Sequence, residues 1–222
     1  MKELKKPLIA PSVLACDFSK AGSEVKRVAE AGADLIHLDI MDGHFVPNIS
    51  FGPDVVKSLR GYSDLPFDVH LMIENPLDYI KRFADSGADI ITFHVESKSN
   101  IDKTLDEIVK NNVKPGLVVK PKTDIKEVFK YLDRVYMILI MTVEPGFGGQ
   151  SFMEDMMEKV KVLKEEIKNR QLNVLIEVDG GINQDTVKIA LDAGADICVA
   201  GTSVFKAQSA KGAIDKLKGE TN

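Results

Sequence analysis

The stretch Glu30-Ala31-Gly32-Ala33-Asp34-Leu35-Ile36 returns twice further along the chain, as Asp85-Ser86-Gly87-Ala88-Asp89-Ile90-Ile91 and as Asp192-Ala193-Gly194-Ala195-Asp196-Ile197-Cys198. Each copy closes an amphipathic helical pattern with a glycine suited to the left-handed conformation at a helix C-terminus. Each then enters an apolar, β-branched run. Glycines 32, 87 and 194 lie 55 and 107 positions apart. Those gaps correspond to about two and about four units of roughly 27 residues, a suitable size for one strand plus one helix.

Extended outward on that period, the pattern predicts strands over 8–14, 35–41, 67–73, 90–96, 115–120, 137–143, 174–179 and 197–200. Helices are expected between and after them, over 19–31, 53–59, 76–86, 100–111, 124–132, 153–169, 183–193 and 212–218. Ser19, Asn75 before Pro76, Asp124 and Asn183 are suitable residues for helix starts. Eight strands each followed by a helix make a (β/α)8 TIM barrel with all strands parallel. At 222 residues the chain is near the lower limit for that fold, so short loops and a single domain over 1–222 are expected. The alternative, an open doubly wound sheet, requires a Gly-x-Gly-x-x-Gly turn after its first strand, and none is present.

Composition sets the outer bounds. Apolar residues make up 44% and charged residues 28%, the profile of a soluble globular protein. A net charge of -5 without a basic block argues against nucleic acid as a partner. The two cysteines, Cys16 and Cys198, have no metal-knuckle or disulfide-framework spacing and read as small buried hydrophobes. No run reaches the length of a membrane span. The basic start followed by residues 8–16 loosely mimics an export signal, but Pro11 and Ser12 interrupt it and Asp17 follows at once. The cytoplasm is therefore the expected compartment.

Along a strand, residues two apart share a face. In the second strand this groups Leu35, His37, Asp39 and Met41 opposite Ile36, Leu38 and Ile40. In the third, Asp68, His70 and Met72 oppose Phe67, Val69 and Leu71; in the seventh, Glu177 and Asp179 share a face. Inward polar residues at strand C-termini mark the usual active-site rim of a barrel, and Ser12 ends the first strand there. Several inward carboxylates are very costly to bury unpaired, and no inward Lys or Arg offers itself on these strands. One divalent ion held by His37, Asp39, His70 and Asp179 is the simplest solution, and this donor set suits Zn, Fe(II), Mn or Co. Glu177 is read as a hydrogen-bond partner for a ligand histidine, Asp42 as a loop cap or a group that orients a ligand, and His44 and His94 as structural or loop residues. Met41, Met72 and Met141, at strand ends, are candidates for a polarisable cap that keeps water from the reacting atoms.

Glycines supply the other half of the site. Gly146-Phe147-Gly148-Gly149 follows the sixth strand, Gly180-Gly181 the seventh and Gly201-Thr202 the eighth. Backbone amides can approach a phosphate closely there, at the usual phosphate corner of this fold.

His37-Leu38-Asp39-Ile40-Met41-Asp42-Gly43-His44-Phe45-Val46-Pro47-Asn48, His70-Leu71-Met72, Met141-Thr142-Val143-Glu144-Pro145-Gly146-Phe147-Gly148-Gly149-Gln150 and Glu177-Val178-Asp179-Gly180-Gly181 resemble ribulose-phosphate 3-epimerases. The resemblance runs from Pro11-Ser12 to Gly201-Thr202. It implies interconversion of D-ribulose 5-phosphate and D-xylulose 5-phosphate, with the divalent ion on His37, Asp39, His70 and Asp179. It also implies catalytic acid–base roles for Asp39 and Asp179. The substrate contacts it implies are Ser12, His70, Gly146, Phe147, Gly148, Gly149, Asp179, Gly180, Gly181, Gly201 and Thr202. A small phosphorylated ketose is the implied partner, and a homo-oligomer, dimer or hexamer, the implied assembly. Thr202, where Ser is commoner, keeps the hydroxyl and the amide; Cys16 stands where a small or polar residue is usual. Rival readings are a D-allulose-6-phosphate 3-epimerase, whose glycine loops differ, and a sugar-phosphate-binding barrel without turnover. A phosphate-barrel decarboxylase would need Asp-x-Lys-x-x-Asp, which is absent.

Overall fold

The computed structural model describes residues 6–220; the remainder of the basic start, residues 2–5, lies outside them. Eight strands form one sheet: β1 Leu8–Pro11, β2 Ile36–Met41, β3 Phe67–Met72, β4 Ile90–His94, β5 Lys114–Val119, β6 Met137–Met141, β7 Leu175–Asp179 and β8 Ile197–Ala200. Every ladder is parallel, in the order β1-β8-β7-β6-β5-β4-β3-β2. The ring closes where a parallel bridge joins Ser12, just past β1, to His37 of β2. The (β/α)8 barrel expected from the repeat is the fold observed.

Helices cover the outside: α1 Ala21–Glu30, α2 Pro53–Arg60, α3 Ile80–Asp85, α4 Ile101–Lys110, α5 Met157–Asn169, α6 Thr186–Ala193, α7 Thr202–Phe205 and α8 Ala210–Leu217. The repeat glycines adopt the backbone expected of them, with φ of 97° at Gly32, 96° at Gly87 and 115° at Gly194. Asn100 caps α4 by accepting from the Lys103 amide, and Asn183 accepts from the amides of Asp185 and Thr186 ahead of α6. Among the described residues, no helix is long and apolar enough to cross a membrane.

Three expectations change in detail. Between β5 and β6 no α-helix forms; Ile125–Tyr131 is a 3-10 helix. Its buried residues are Ile125, Val128 and Tyr131, a strict spacing of three that matches the 3-10 repeat rather than the α repeat. Ahead of the first helix Ser19 makes no cap; Asp17 instead caps a turn over Phe18–Lys20, its carboxylate accepting from both the amide and the hydroxyl of Ser19. That 3-10 turn precedes α1. The short helix α7 was not expected; it starts directly at Thr202 after β8.

Residues facing out from the strands, such as Ile36, Leu38, Val69, Leu71 and Phe93, join the helices in the main core. Inward residues stack in layers. The floor is apolar, built around Leu35, Ile90, Met137 and Ile197, and the same cluster climbs through Ala10 to Val199 at the cavity. Above it lie fully buried polar groups, among them His37, Asp68, His70, Thr92, His94 and Glu177. The rim is apolar again: Met41 and Met72 pack with Val46, while Met141 packs with Val118, Leu139 and Val143. This sandwich of polar groups between greasy layers is the feature that positions the site.

Candidate metal centre and active site

Register brings the polar groups together. Asp39 on β2 pairs in register with His70 on β3, Met41 with Met72, and Met141 on β6 with Asp179 on β7. The Ser12 bridge draws β1 to β2, and the Ser12 hydroxyl donates to Asp39 Oδ2 at 2.5 Å. His37 Nε2 stands 3.3 Å from Asp39 Oδ1 and 3.9 Å from Asp179 Oδ2. His70 Nδ1 stands 3.1 Å from Asp39 Oδ1 and 3.8 Å from Asp179 Oδ2. One donor atom from each of these four residues lies within 4.8 Å of the other three. The set could hold a metal ion.

Local detail fits a cation at that point. His37 Nε2 is buried and has no hydrogen-bond partner, a costly state unless something else binds it. Its other nitrogen, Nδ1, lies 2.6 Å from Asp68 Oδ2, the carboxylate–histidine pairing that aims a ligand nitrogen. Asp68 rather than Glu177 therefore supports His37, correcting the expectation from sequence. Glu177 Oε1 is 3.9 Å from the same nitrogen, and burial, with the Asp68 charge, raises its pKa well above the usual carboxylate range.

The two catalytic candidates differ electrostatically. Burial disfavours ionisation of Asp39, but the neighbouring His37 and His70 outweigh it and hold Asp39 well below its ordinary value. Asp179 is pushed up to about 6 by burial and by the charge on Asp39. His37 moves upward: burial opposes its charge, yet Asp39 and Asp68 prevail. The two carboxylates are thus set in opposite directions, the arrangement that separates a base from an acid.

A cavity of about 510 Å³ opens above the cluster. Its walls include Ser12, Asp39, Met41, Met72, Met141, Gly146, Phe147, Gly148, Gly149, Asp179, Gly180, Gly181, Gly201 and Thr202. Of the residues expected to hold the metal, do the acid–base chemistry, contact the substrate or cap the site, only His37 and His70 are missing from these walls, and both are fully buried. Ser203, which no sequence pattern marks, also lines the cavity, and its hydroxyl donates to the Ile182 carbonyl. Asp42 caps its loop as expected, accepting from the His44, Phe45 and Glu74 amides. His44 is exposed. His94 is fully buried, with Nε2 3.0 Å from His70 Nε2, a contact that its inward step with Thr92 on β4 could have signalled.

Residues 8–205 match the ribulose-phosphate 3 epimerase family. The chain belongs to that family. Ribulose-phosphate 3-epimerase of Bacillus subtilis (strain 168) is 44% identical over 212 residues, covering 95% of this chain and 98% of that one. The enzyme of that name from Escherichia coli (strain K12) is 42% identical over 219 residues, covering 98% and 97%. A cytoplasmic isoform from Oryza sativa subsp. japonica is 43% identical over 214 residues, covering 95% and 92%. Ribulose-phosphate 3-epimerases are carbohydrate epimerases, a class of isomerase, and the chain is an enzyme of this class. Among solved structures, KGPDC from Streptococcus mutans has a TM-score of 0.71 at 16% identity, covering 97% of each chain. A 3-hexulose-6-phosphate synthase from Salmonella typhimurium has a TM-score of 0.70 at 16% identity, covering 96% of this chain and 97% of that one. Likeness at that level of identity concerns the barrel fold alone.

Proposed function

We propose that this ribulose-phosphate 3-epimerase family member interconverts D-ribulose 5-phosphate and D-xylulose 5-phosphate, working as a single domain in the cytoplasm. The reading rests on one observation above others: Asp39 and Asp179, from strands on different sides of the barrel seam, meet at one point with their proton affinities driven apart. Epimerisation beside a ketone needs such a pair.

Asp39 is the proton acceptor for ribulose 5-phosphate. The C3–H bond breaks, the proton goes to the Asp39 carboxylate, and the electron pair moves into the C2–C3 bond while the C2 carbonyl becomes an enolate oxygen. Asp179, starting protonated, returns a proton to the opposite face of C3, and the C2 carbonyl re-forms. In the reverse direction the two exchange roles. The Ser12 hydroxyl holds Asp39 in orientation through the 2.5 Å hydrogen bond. His37, Asp39, His70 and Asp179 would hold a Zn, Fe(II), Mn or Co ion, which supplies a Lewis acid for the negative charge developing on the sugar oxygens. Met41, Met72 and Met141 close the rim and exclude water from the planar intermediate.

Gly146–Gly149, Gly180–Gly181 and Gly201–Thr202 take the phosphate. Gly181 has no room for a side chain: at φ 69°, an added Cβ would lie 2.4 Å from the Phe152 amide nitrogen. Gly181→Ala therefore displaces the loop, and kcat/KM is expected to fall on the order of 100-fold with ion binding retained. Steady-state kinetics on a metal-loaded sample reads this; unchanged kcat/KM would remove that loop from the phosphate site.

Deuterium wash-in tests the reaction itself. In D2O the chain is expected to place deuterium at C3 of ribulose 5-phosphate with xylulose 5-phosphate appearing, and to act far more slowly on a hexulose 6-phosphate. Preference for the hexulose would reassign the substrate.

A further inference from the structure

His94 and Glu96 form a chain of hydrogen bonds that reaches the proposed centre from the side of β4 and β5. His94 ends β4 and is wholly buried. Its Nε2 lies 3.0 Å from Nε2 of His70, and its Nδ1 lies 3.2 Å from Glu96 Oε2. Glu96 Oε1 accepts from the Lys120 amide at 2.8 Å and from the Thr123 hydroxyl. The His94 ring is braced by Phe45, at 4.8 Å between centroids, and Lys120 Nζ sits 3.6 Å over that same Phe45 ring.

Each link dictates the next. Glu96 is an acceptor for three groups, so it takes the hydrogen of His94 Nδ1. Burial opposes its charge, yet His94, Thr123 and the Lys120 amide outweigh it and lower its pKa to about 2. A neutral imidazole with hydrogen on Nδ1 presents a bare lone pair at Nε2. Two imidazole nitrogens 3.0 Å apart share one hydrogen, which must then belong to His70 Nε2. His70 is left with its lone pair on Nδ1, the nitrogen 3.1 Å from Asp39 Oδ1 and 3.8 Å from Asp179 Oδ2.

We propose that His94 and Glu96 are positioning residues that set the tautomer and ring orientation of His70, delivering its Nδ1 lone pair to a divalent cation. The inference rests on the metal reading of the cluster. It gives the two histidines opposite wiring: His37 is aimed through Nε2 by a carboxylate on Nδ1, and His70 through Nδ1 by a relay on Nε2.

Glu96→Gln is the sharpest probe, because it keeps size while reversing polarity. With its oxygen held by Lys120 and Thr123, the amide NH2 faces His94 Nδ1, forcing hydrogen onto His94 Nε2 and confronting the Nε2 hydrogen of His70. His94→Phe removes the acceptor outright, and His94→Gln restores one. Metal-free proteins are titrated with Co²⁺, following the visible absorption of the bound ion, with circular dichroism confirming the fold. Glu96→Gln and His94→Phe are expected to weaken Co²⁺ binding by about 10- to 100-fold and to alter the spectrum. His94→Gln is expected to recover most of the affinity, and KM at saturating metal should stay near the wild-type value.

Wild-type affinity and spectrum in folded Glu96→Gln and His94→Phe overturn the relay. His70→Ala separates that failure from failure of the centre: if wild type binds one ion and His70→Ala does not, only the relay falls. A wild type that binds no ion, or a His70→Ala variant that binds equally well, overturns both. Should the variants not fold, ¹⁵N-imidazole spectra of the zinc-loaded wild type decide, since hydrogen on Nε2 of His70 and Nδ1 of His94 is required and the reverse pair refutes the relay.

Discussion

Asp179→Asn is expected to abolish net epimerisation, lowering kcat by about 10³-fold or more, while the chain stays folded. General acid–base groups contribute about 10²- to 10⁴-fold each, and an amide can neither give nor take the proton. Asn is nearly the same size as Asp, and the Asp179 side chain is 15% exposed at the cavity, so packing is little disturbed. The variant also has a finer signature. Asp39 remains able to remove and return the C3 proton of ribulose 5-phosphate on its own face. Deuterium should therefore still enter C3 of ribulose 5-phosphate, with no xylulose 5-phosphate formed. The converse variant, Asp39→Asn, should exchange only xylulose 5-phosphate. Metal content of the same samples separates loss of the acid from loss of a ligand. Epimerisation above about one per cent of wild type in metal-loaded Asp179→Asn would contradict the two-acid scheme.

Removal of the metal should have a comparable effect. Dialysis against a chelator is expected to lower turnover by about 10³-fold, which corresponds to about 4 kcal/mol of charge stabilisation. Adding back Zn, Fe(II), Mn or Co singly should restore it. The surroundings explain why the loss would be large. Among the described residues no Lys or Arg lines the cavity, so no side-chain cation there could take the ion's place beside the developing negative charge. Thermal stability provides a second readout, because an ion that binds only the folded chain raises the melting temperature as its concentration passes the dissociation constant. Full turnover in protein free of measurable metal would remove the Lewis acid from the mechanism.

Much of this site can be traced to short-range pattern. Steps of two along β2, β3 and β7 put His37 with Asp39, Asp68 with His70, and Glu177 with Asp179 on inward faces, and the glycine runs mark the loops beside them. These features are legible because strand periodicity is strict and glycine tolerates backbone that other residues avoid. Helix types were less legible. The 124–132 region carried an apolar pattern without revealing that its spacing of three selects a 3-10 helix, and α7 is a single turn with little pattern to read.

The partners of the ligand candidates depended on three-dimensional register. Asp68 and Glu177 look equivalent along the chain, each two residues before a ligand candidate. Only the pairing of β2 with β3, residue for residue, puts Asp68 at 2.6 Å from His37 while Glu177 stays at 3.9 Å. His94 likewise looked ordinary until β4 laid it against His70. The order of residues in the chain established which strands form and most of the helices between them, which faces turn inward and which residues can do chemistry, because those follow from interactions over a few neighbouring positions. Strand pairing and barrel closure established which acid serves which histidine and how the two aspartates come to differ, because hydrogen bonds and electric fields act across space between residues far apart in the chain.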